Sequence, residues 1–89
     1  MKVVILYRPD SEHATAVESF LRDFRVRNGG VNVETENVDS REGIAMASLY
    51  DIVRYPAILA LADDGSMLHL WEGDELPLMD EVASYAYSA

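Results

Sequence analysis

The chain has 89 residues, of which 49% are hydrophobic and 26% charged, a balance typical of one folded domain and not of a disordered segment. Sixteen acidic against seven basic side chains give a formal charge of −9, which repels nucleic-acid phosphates and anionic membranes, so we expect neither as a partner. The absence of cysteine excludes disulfide bonds, thiolate zinc sites and thiol-based catalysis by this chain.

The first half of the chain predicts a strand, a helix and a second strand. Residues 3–7 are an unbroken apolar run of strand length, as expected for a strand buried on both faces. In the turn that follows, Asp10 or Ser11 is predicted to cap a helix. The apolar stripe of that helix consists of Ala14, Val17, Phe20, Leu21 and Phe24. The helix is predicted to end at residues 28–30. Residues 31–38 alternate between apolar and polar side chains, as in an edge strand with one solvent-exposed face.

The second half predicts a helix, a hairpin and a closing helix. Ser40 is a second predicted cap, and the core-facing residues of the helix after it are expected to be Ile44, Ala45, Leu49 and Ile52. Residues 57–62 are another apolar run, and the turn at 63–66 returns the chain as a strand over 67–71. Pro77 suits the first position of the last helix, whose inner residues are predicted to be Leu78, Val82 and either Tyr85 or Ala86.

The predicted order β-α-β-α-β-β-α limits the topology. The first strand, helix and strand should form a right-handed parallel crossover, and the last two strands an antiparallel hairpin. Because residues 3–7 and 57–62 are apolar throughout, we place them at the centre of a four-stranded mixed sheet flanked by helices. The wetter segments 31–38 and 67–71 are then the edges. Residues 1–89 are predicted to be a single α/β domain.

This order, with a proline opening the third strand, resembles the thioredoxin/glutaredoxin superfamily. The resemblance is carried by residues 4–10, 38–42, 50–59 and the hairpin with its end at 64–65 and 71–73. The Cys-x-x-Cys motif of the superfamily would fall on residues 11–14, which read Ser-Glu-His-Ala. The resemblance therefore implies a thioredoxin-like fold without thiol–disulfide oxidoreductase activity. Over its first third the chain is also similar to the circadian regulator KaiB, a cysteine-independent thioredoxin-like protein.

The resemblance also implies a binding site. It predicts a cis Tyr55–Pro56 bond, beside which a protein or short peptide would pair by its backbone. The expected groove residues are Arg8, Pro9, Ser11, Glu12, His13, Tyr55, Pro56, Gly73 and Asp74. Glutathione is not the expected ligand, since its carboxylates need basic residues and the segment 72–75 is mostly acidic. No cofactor or metal is expected, because two histidines without a paired third donor do not make a zinc site.

The predicted function is a non-redox binding or adaptor module and not an enzyme. The alternative is a serine-based, glutathione-handling enzyme centred on Ser11, although His13 lies two residues away, where helix geometry points it to another side. A further alternative is a site that a partner chain completes. Trp71 is either an exposed interface anchor or a half-buried strand end. Because no signal-like segment precedes residues 3–7, a cytoplasmic location is predicted.

Overall fold

A computed structural model describes residues 1–73 and 75–87 of the chain, so Asp74 of the predicted groove lies outside the described residues. Within this part, the predicted element order is confirmed. The strands are β1 (Lys2–Tyr7), β2 (Asn32–Asn37), β3 (Ala57–Leu61) and β4 (Met67–Glu72). The helices are α1 (Ala14–Arg27), α2 (Arg41–Leu49) and α3 (Met79–Tyr87).

The strands form one mixed sheet in the order β2-β1-β3-β4. Strand β1 pairs in parallel with β2 and antiparallel with β3, and β3 pairs antiparallel with β4. The two apolar strands therefore occupy the centre, as their composition predicts, and the strands with polar residues lie at the edges. The glutamates of β2 also discourage pairing of its open edge with another strand.

The side chains of β1 alternate between two core clusters, one on each face of the sheet. Val3, Ile5 and Tyr7 pack with α1 and α3 on one face. Val4 and Leu6 pack on the other face with residues of β3 and with the segment that carries α2. The apolar stripe predicted for α1 is confirmed: all its members are buried except Leu21, which is partly buried against the same cluster.

The two predicted helix caps have different outcomes. Ser40 caps α2, and its Oγ accepts from the Gly43 amide at 3.0 Å. The predicted cap at Asp10 or Ser11 is wrong, because α1 begins only at Ala14, with His13 in the cap position and no side-chain cap. The Ser11 hydroxyl and amide both donate to the Arg8 carbonyl, at 2.6 and 3.1 Å. This local turn uses the hydroxyl that would otherwise cap the helix.

The predicted inner face of α2 is wrong, apart from Ile52 beyond its end, which is buried. Ile44 and Leu49 are 58% and 73% exposed, and Ala45 is exposed as well. The residues that turn inward are Gly43, Met46, Ala47 and Tyr50. These positions also follow helical spacing, so periodicity allows either face. Gly43 determines which face of the helix is buried, because it lies close against the Asn37 backbone. An added Cβ at this position would overlap the Asn37 carbonyl oxygen and lie 2.9 Å from its carbon.

The last helix starts later than predicted. Met79 is its first residue, so Pro77 precedes the helix and Leu78, predicted to be an inner residue, is 75% exposed. Val82 is buried as predicted, and Ala83 beside it is buried too. No helix in the described part of the chain has the length and apolar character needed to cross a membrane.

Candidate functional site

Three segments meet at the end of the sheet where the central strand β1 finishes. Residues 8–13 follow β1, Tyr55 and Pro56 precede β3, and Gly73 follows β4. The strand registers bring them together, because Leu6 lies opposite Ala57 and Ala57 lies opposite Glu72. All the expected groove residues that the structure describes thus lie at this one end of the sheet. We call this arrangement the proline groove.

Arg8 is anchored to the end of the neighbouring parallel strand. Its guanidinium donates two hydrogen bonds to the Asp39 carboxylate, at 2.9 and 3.1 Å. These bonds lower the pKa of Asp39 and raise the pKa of Arg8, and the Tyr55 phenol adds a smaller contribution that also raises the pKa of Arg8. The pair is exposed, so it contributes little to stability. In the site, the positive charge of Arg8 is therefore already balanced by the Asp39 carboxylate of the same chain.

Ser11 and His13 are both held by the backbone of Arg8. The Ser11 hydroxyl donates to the Arg8 carbonyl, and the Arg8 amide donates to His13 Nε2 at 3.2 Å. The ring nitrogen that would serve as a base is therefore occupied, and the serine proton points elsewhere. A serine nucleophile needs a base within hydrogen-bond reach. Among the residues that the structure describes, the Ser11 hydroxyl donates to the Arg8 carbonyl and to no side-chain base. Glu12, between them, is exposed and has no ion pair within the described residues.

Tyr55 and Pro56 form the other wall of the proline groove. The bond between them is cis, the isomer that the resemblance implies. Pro56 is buried, and its carbonyl accepts from the Gly73 amide at 3.0 Å. Tyr55 is partly exposed, and neither its backbone N–H nor its C=O has a hydrogen-bond partner among the described residues. Because Tyr55 is partly exposed, water can satisfy these groups, and an approaching chain could replace that water.

Glu72 supports this wall, a role that the sequence analysis missed. Its Oε2 accepts from the amides of Val53 and Arg54, at 3.1 and 3.3 Å. A carboxylate that accepts from two backbone amides fixes the loop that carries Tyr55. The only signal in the sequence is a glutamate at the end of the last strand, and its partners lie 18 and 19 residues earlier.

We expect Glu72→Ala to free this loop. The variant removes the acceptor of two exposed amides, which water can partly replace, so the free energy of unfolding should fall by about 1 kcal/mol. Amide hydrogen exchange at Val53 and Arg54 should become faster, because both amides lose their partner. Glu72→Gln, which keeps an acceptor oxygen without the charge, is the matched control and should retain part of the protection. Equal exchange in wild type and Glu72→Ala would contradict the assigned role.

Trp71 and His69 pack against the last helix. Trp71 Nε1 donates to Glu81 Oε2 at 2.8 Å, and the Tyr85 hydroxyl lies 2.9 Å from His69 Nδ1. Trp71 is partly buried against the core, which confirms the second of the two expectations for it. Within the described residues, no group of three or more His, Asp or Glu side chains is placed to hold a metal ion.

Comparison with known proteins places the fold. No protein-family model and no curated protein matches the chain by sequence. An uncharacterised thioredoxin-like protein from Clostridium perfringens superposes with a TM-score of 0.77 at 15% identity, over 98% of this chain and 68% of that one. Thioredoxin 1 from Thermosipho africanus gives 0.70 at 12% identity, over 99% and 92%. Mitochondrial thioredoxin 3 from Saccharomyces cerevisiae gives 0.72 at 15% identity, over 98% and 76%.

These likenesses define the chain as a protein of thioredoxin-like fold. Within that fold it is one without cysteine, so the thiol chemistry of a Cys-x-x-Cys motif is absent from it. At 12–15% identity the comparisons concern the fold alone.

Proposed function

We propose that the protein is a non-redox binding module that takes an extended segment of a partner protein in the proline groove. The observation that carries the proposal is the backbone of Tyr55 beside buried Pro56, for which the described part of the chain provides no hydrogen-bond partner. An extended peptide would satisfy this N–H and C=O as an added strand does at a sheet edge. The loop of residues 8–13 would contact its side chains from the opposite wall.

The chemistry of the groove favours binding over catalysis. Ser11 and His13 are engaged by the Arg8 backbone, and Arg8 itself is engaged by Asp39. The Arg8 charge is thus already matched by an internal carboxylate when a ligand carboxylate, such as those of glutathione, arrives. With a net charge of −9 and an exposed Glu12, the module suits a neutral or basic segment, whose binding should weaken as salt rises.

Selection of peptides from a random library displayed on phage, carried out at low salt, tests this function. We expect the selected peptides to bind wild type about tenfold or more tightly than a Tyr55→Ala, Glu12→Lys double variant. Asp23→Lys, on the distal half of α1, is a control with the same charge change as Glu12→Lys and should bind like wild type. In NMR titrations the amide of Tyr55 should shift most, and N-methylation of the paired peptide residue should abolish binding.

Two results would overturn the proposal. One is a set of peptides that bind wild type and the double variant equally and shift amides away from residues 8–13 and Tyr55. The other is a selection that yields no binding peptide while Ser11→Ala removes a glutathione-dependent activity of the wild type. The second result would favour the serine-based alternative.

A further inference from the structure

The chain has two histidines, and their hydrogen bonds differ in kind. His13 lies in the loop that forms one wall of the proline groove, whereas His69 lies on β4 against the last helix. Histidine is the side chain whose ordinary titration falls between about pH 5 and 8. What each ring does when it takes up a proton therefore depends on the partner that it faces.

The hydrogen bond of His69 survives protonation of its ring. Its Nδ1 lies 2.9 Å from the Tyr85 hydroxyl oxygen. A hydroxyl both donates and accepts, so it can donate to a bare ring nitrogen and accept from a protonated one. His69 and Tyr85, whose ring centroids are 5.2 Å apart, can thus keep their contact in either state.

The hydrogen bond of His13 does not survive protonation. Its Nε2 accepts from the Arg8 amide at 3.2 Å, so this nitrogen carries no hydrogen in the structure. An imidazolium has a donor at both ring nitrogens, and a backbone N–H cannot turn to accept. Two donors would then face each other, and the protonated ring has to turn away from Arg8.

The charged and titratable groups around His13 come from its own loop, from the elements beside it and from the facing wall of the groove. They are Tyr7, Arg8, Asp10, Glu12, Glu18, Asp39, Arg54 and Tyr55. Glu18 accepts from the Tyr7 hydroxyl, and Asp39 is bonded to the Arg8 guanidinium. No ion pair within the described residues includes His13. A protonated ring would therefore gain no carboxylate partner in its present position.

Protonation of His13 would loosen one wall of the proline groove. Three bonds to the Arg8 backbone hold the loop of residues 8–13: two from Ser11 to the Arg8 carbonyl, and one from the Arg8 amide to His13. Only the bond with His13 joins Arg8 to the cap position of α1. Without it the turn at Ser11 remains, but the loop is less firmly fixed to the start of the helix.

We propose that protonation of His13 releases the loop of residues 8–13 and thereby weakens binding in the proline groove as the pH falls. This regulation rests on the proposed function of the groove. A partner segment that contacts the loop in its bonded form binds best when the His13 ring is neutral, because a ligand favours the state with which it makes more contacts.

An NMR titration of the free protein from about pH 8 to about pH 5.5 tests the release of the loop. We expect the Arg8 amide to lose protection from hydrogen exchange, relative to its intrinsic rate, as the His13 ring resonances report protonation. The matched control is His13→Gln, whose side-chain oxygen can take the place of Nε2 and does not titrate, so its Arg8 amide should not respond. His69→Gln removes the other histidine and should keep the response. Circular dichroism confirms that both variants are folded.

A peptide selected for the groove, and uncharged over this pH range, tests the effect on binding. We expect its affinity to fall about threefold to tenfold with decreasing pH for wild type and His69→Gln, and to stay constant for His13→Gln.

Four results would contradict the inference in distinguishable ways. An Arg8 amide that does not respond to His13 protonation would overturn it whether or not the groove binds peptides. A responsive loop with constant peptide affinity would overturn the regulation and leave the proposed function intact. A fall in affinity confined to basic peptides would show repulsion by the added charge alone. Absence of any binding peptide would overturn the proposed function together with its regulation.

Discussion

Replacing Gly43 by alanine is expected to destabilise the protein by about 3 kcal/mol, although alanine is the better helix former. Helix propensity alone would favour the alanine by about 1 kcal/mol. The added Cβ, however, would overlap the Asn37 carbonyl oxygen and lie 3.2 Å from Ser40 Oγ. The start of the helix is also tied to this carbonyl, because the Ser40 hydroxyl and amide donate to it at 2.7 and 3.0 Å, so the helix cannot move away without losing these bonds. Urea unfolding followed by circular dichroism measures the difference.

Gly30→Ala is the matched control for this prediction. No atom outside its chain neighbours lies within 4 Å of the position that its Cβ would take, so the change should stay within about 0.5 kcal/mol. Similar unfolding midpoints for the two variants would mean that α2 does not depend on the close approach at Gly43.

Trp71→Ala is the second substitution from which we expect a large effect, a loss of about 2–4 kcal/mol. The indole contacts the rings of His69 and Tyr85, with centroids 4.4 and 5.6 Å away, and donates to Glu81. The variant removes the ring contact within β4 together with two contacts from β4 to α3, those with Tyr85 and Glu81. Thermal unfolding followed by circular dichroism measures the loss.

Trp71→Phe separates the packing of Trp71 from its hydrogen bond. It keeps an aromatic ring between His69 and Tyr85 and loses the donor to Glu81, so it should cost about 1 kcal/mol. An alanine variant as stable as the phenylalanine variant would show that the Trp71 ring contributes little and that α3 is held by its other contacts, such as that between His69 and Tyr85.

The sequence predicted most of the fold, because the decisive patterns are local. The two apolar runs, residues 3–7 and 57–62, must be central, and the stripe of α1 allows only one inner face. The inner face of α2 was wrong for a tertiary reason. Ile44 and Leu49 are more apolar than Gly43 and Ala47, but only a residue without a side chain fits beside the Asn37 carbonyl. The pattern of apolar residues in a sequence carries no information on how closely two backbone segments, such as those at Gly43 and Asn37, approach each other.

The location of the candidate site could be predicted from the sequence, but the hydrogen bonds within it could not. The resemblance located residues 8–13, Tyr55–Pro56 and Gly73, and the strand registers bring them to one edge. The hydrogen bonds that define the chemistry there join residues distant in sequence, as when Glu72 accepts from Val53 or Arg8 donates to Asp39. Ser11 and His13 differ, because both bond to nearby Arg8; a serine before a helix can cap it or close the preceding turn.

The alternation of β1 between two cores has a consequence for mutational tolerance. Val3, Val4, Ile5 and Leu6 are all fully buried, and successive residues belong to opposite clusters. No position in the centre of this strand is permissive, since every substitution changes the packing of one cluster or the other. The edge strand β2 keeps only Val33 buried and can vary at its remaining positions. Sequence drift in this protein should therefore concentrate at the rim of the sheet and leave its central strand almost unchanged.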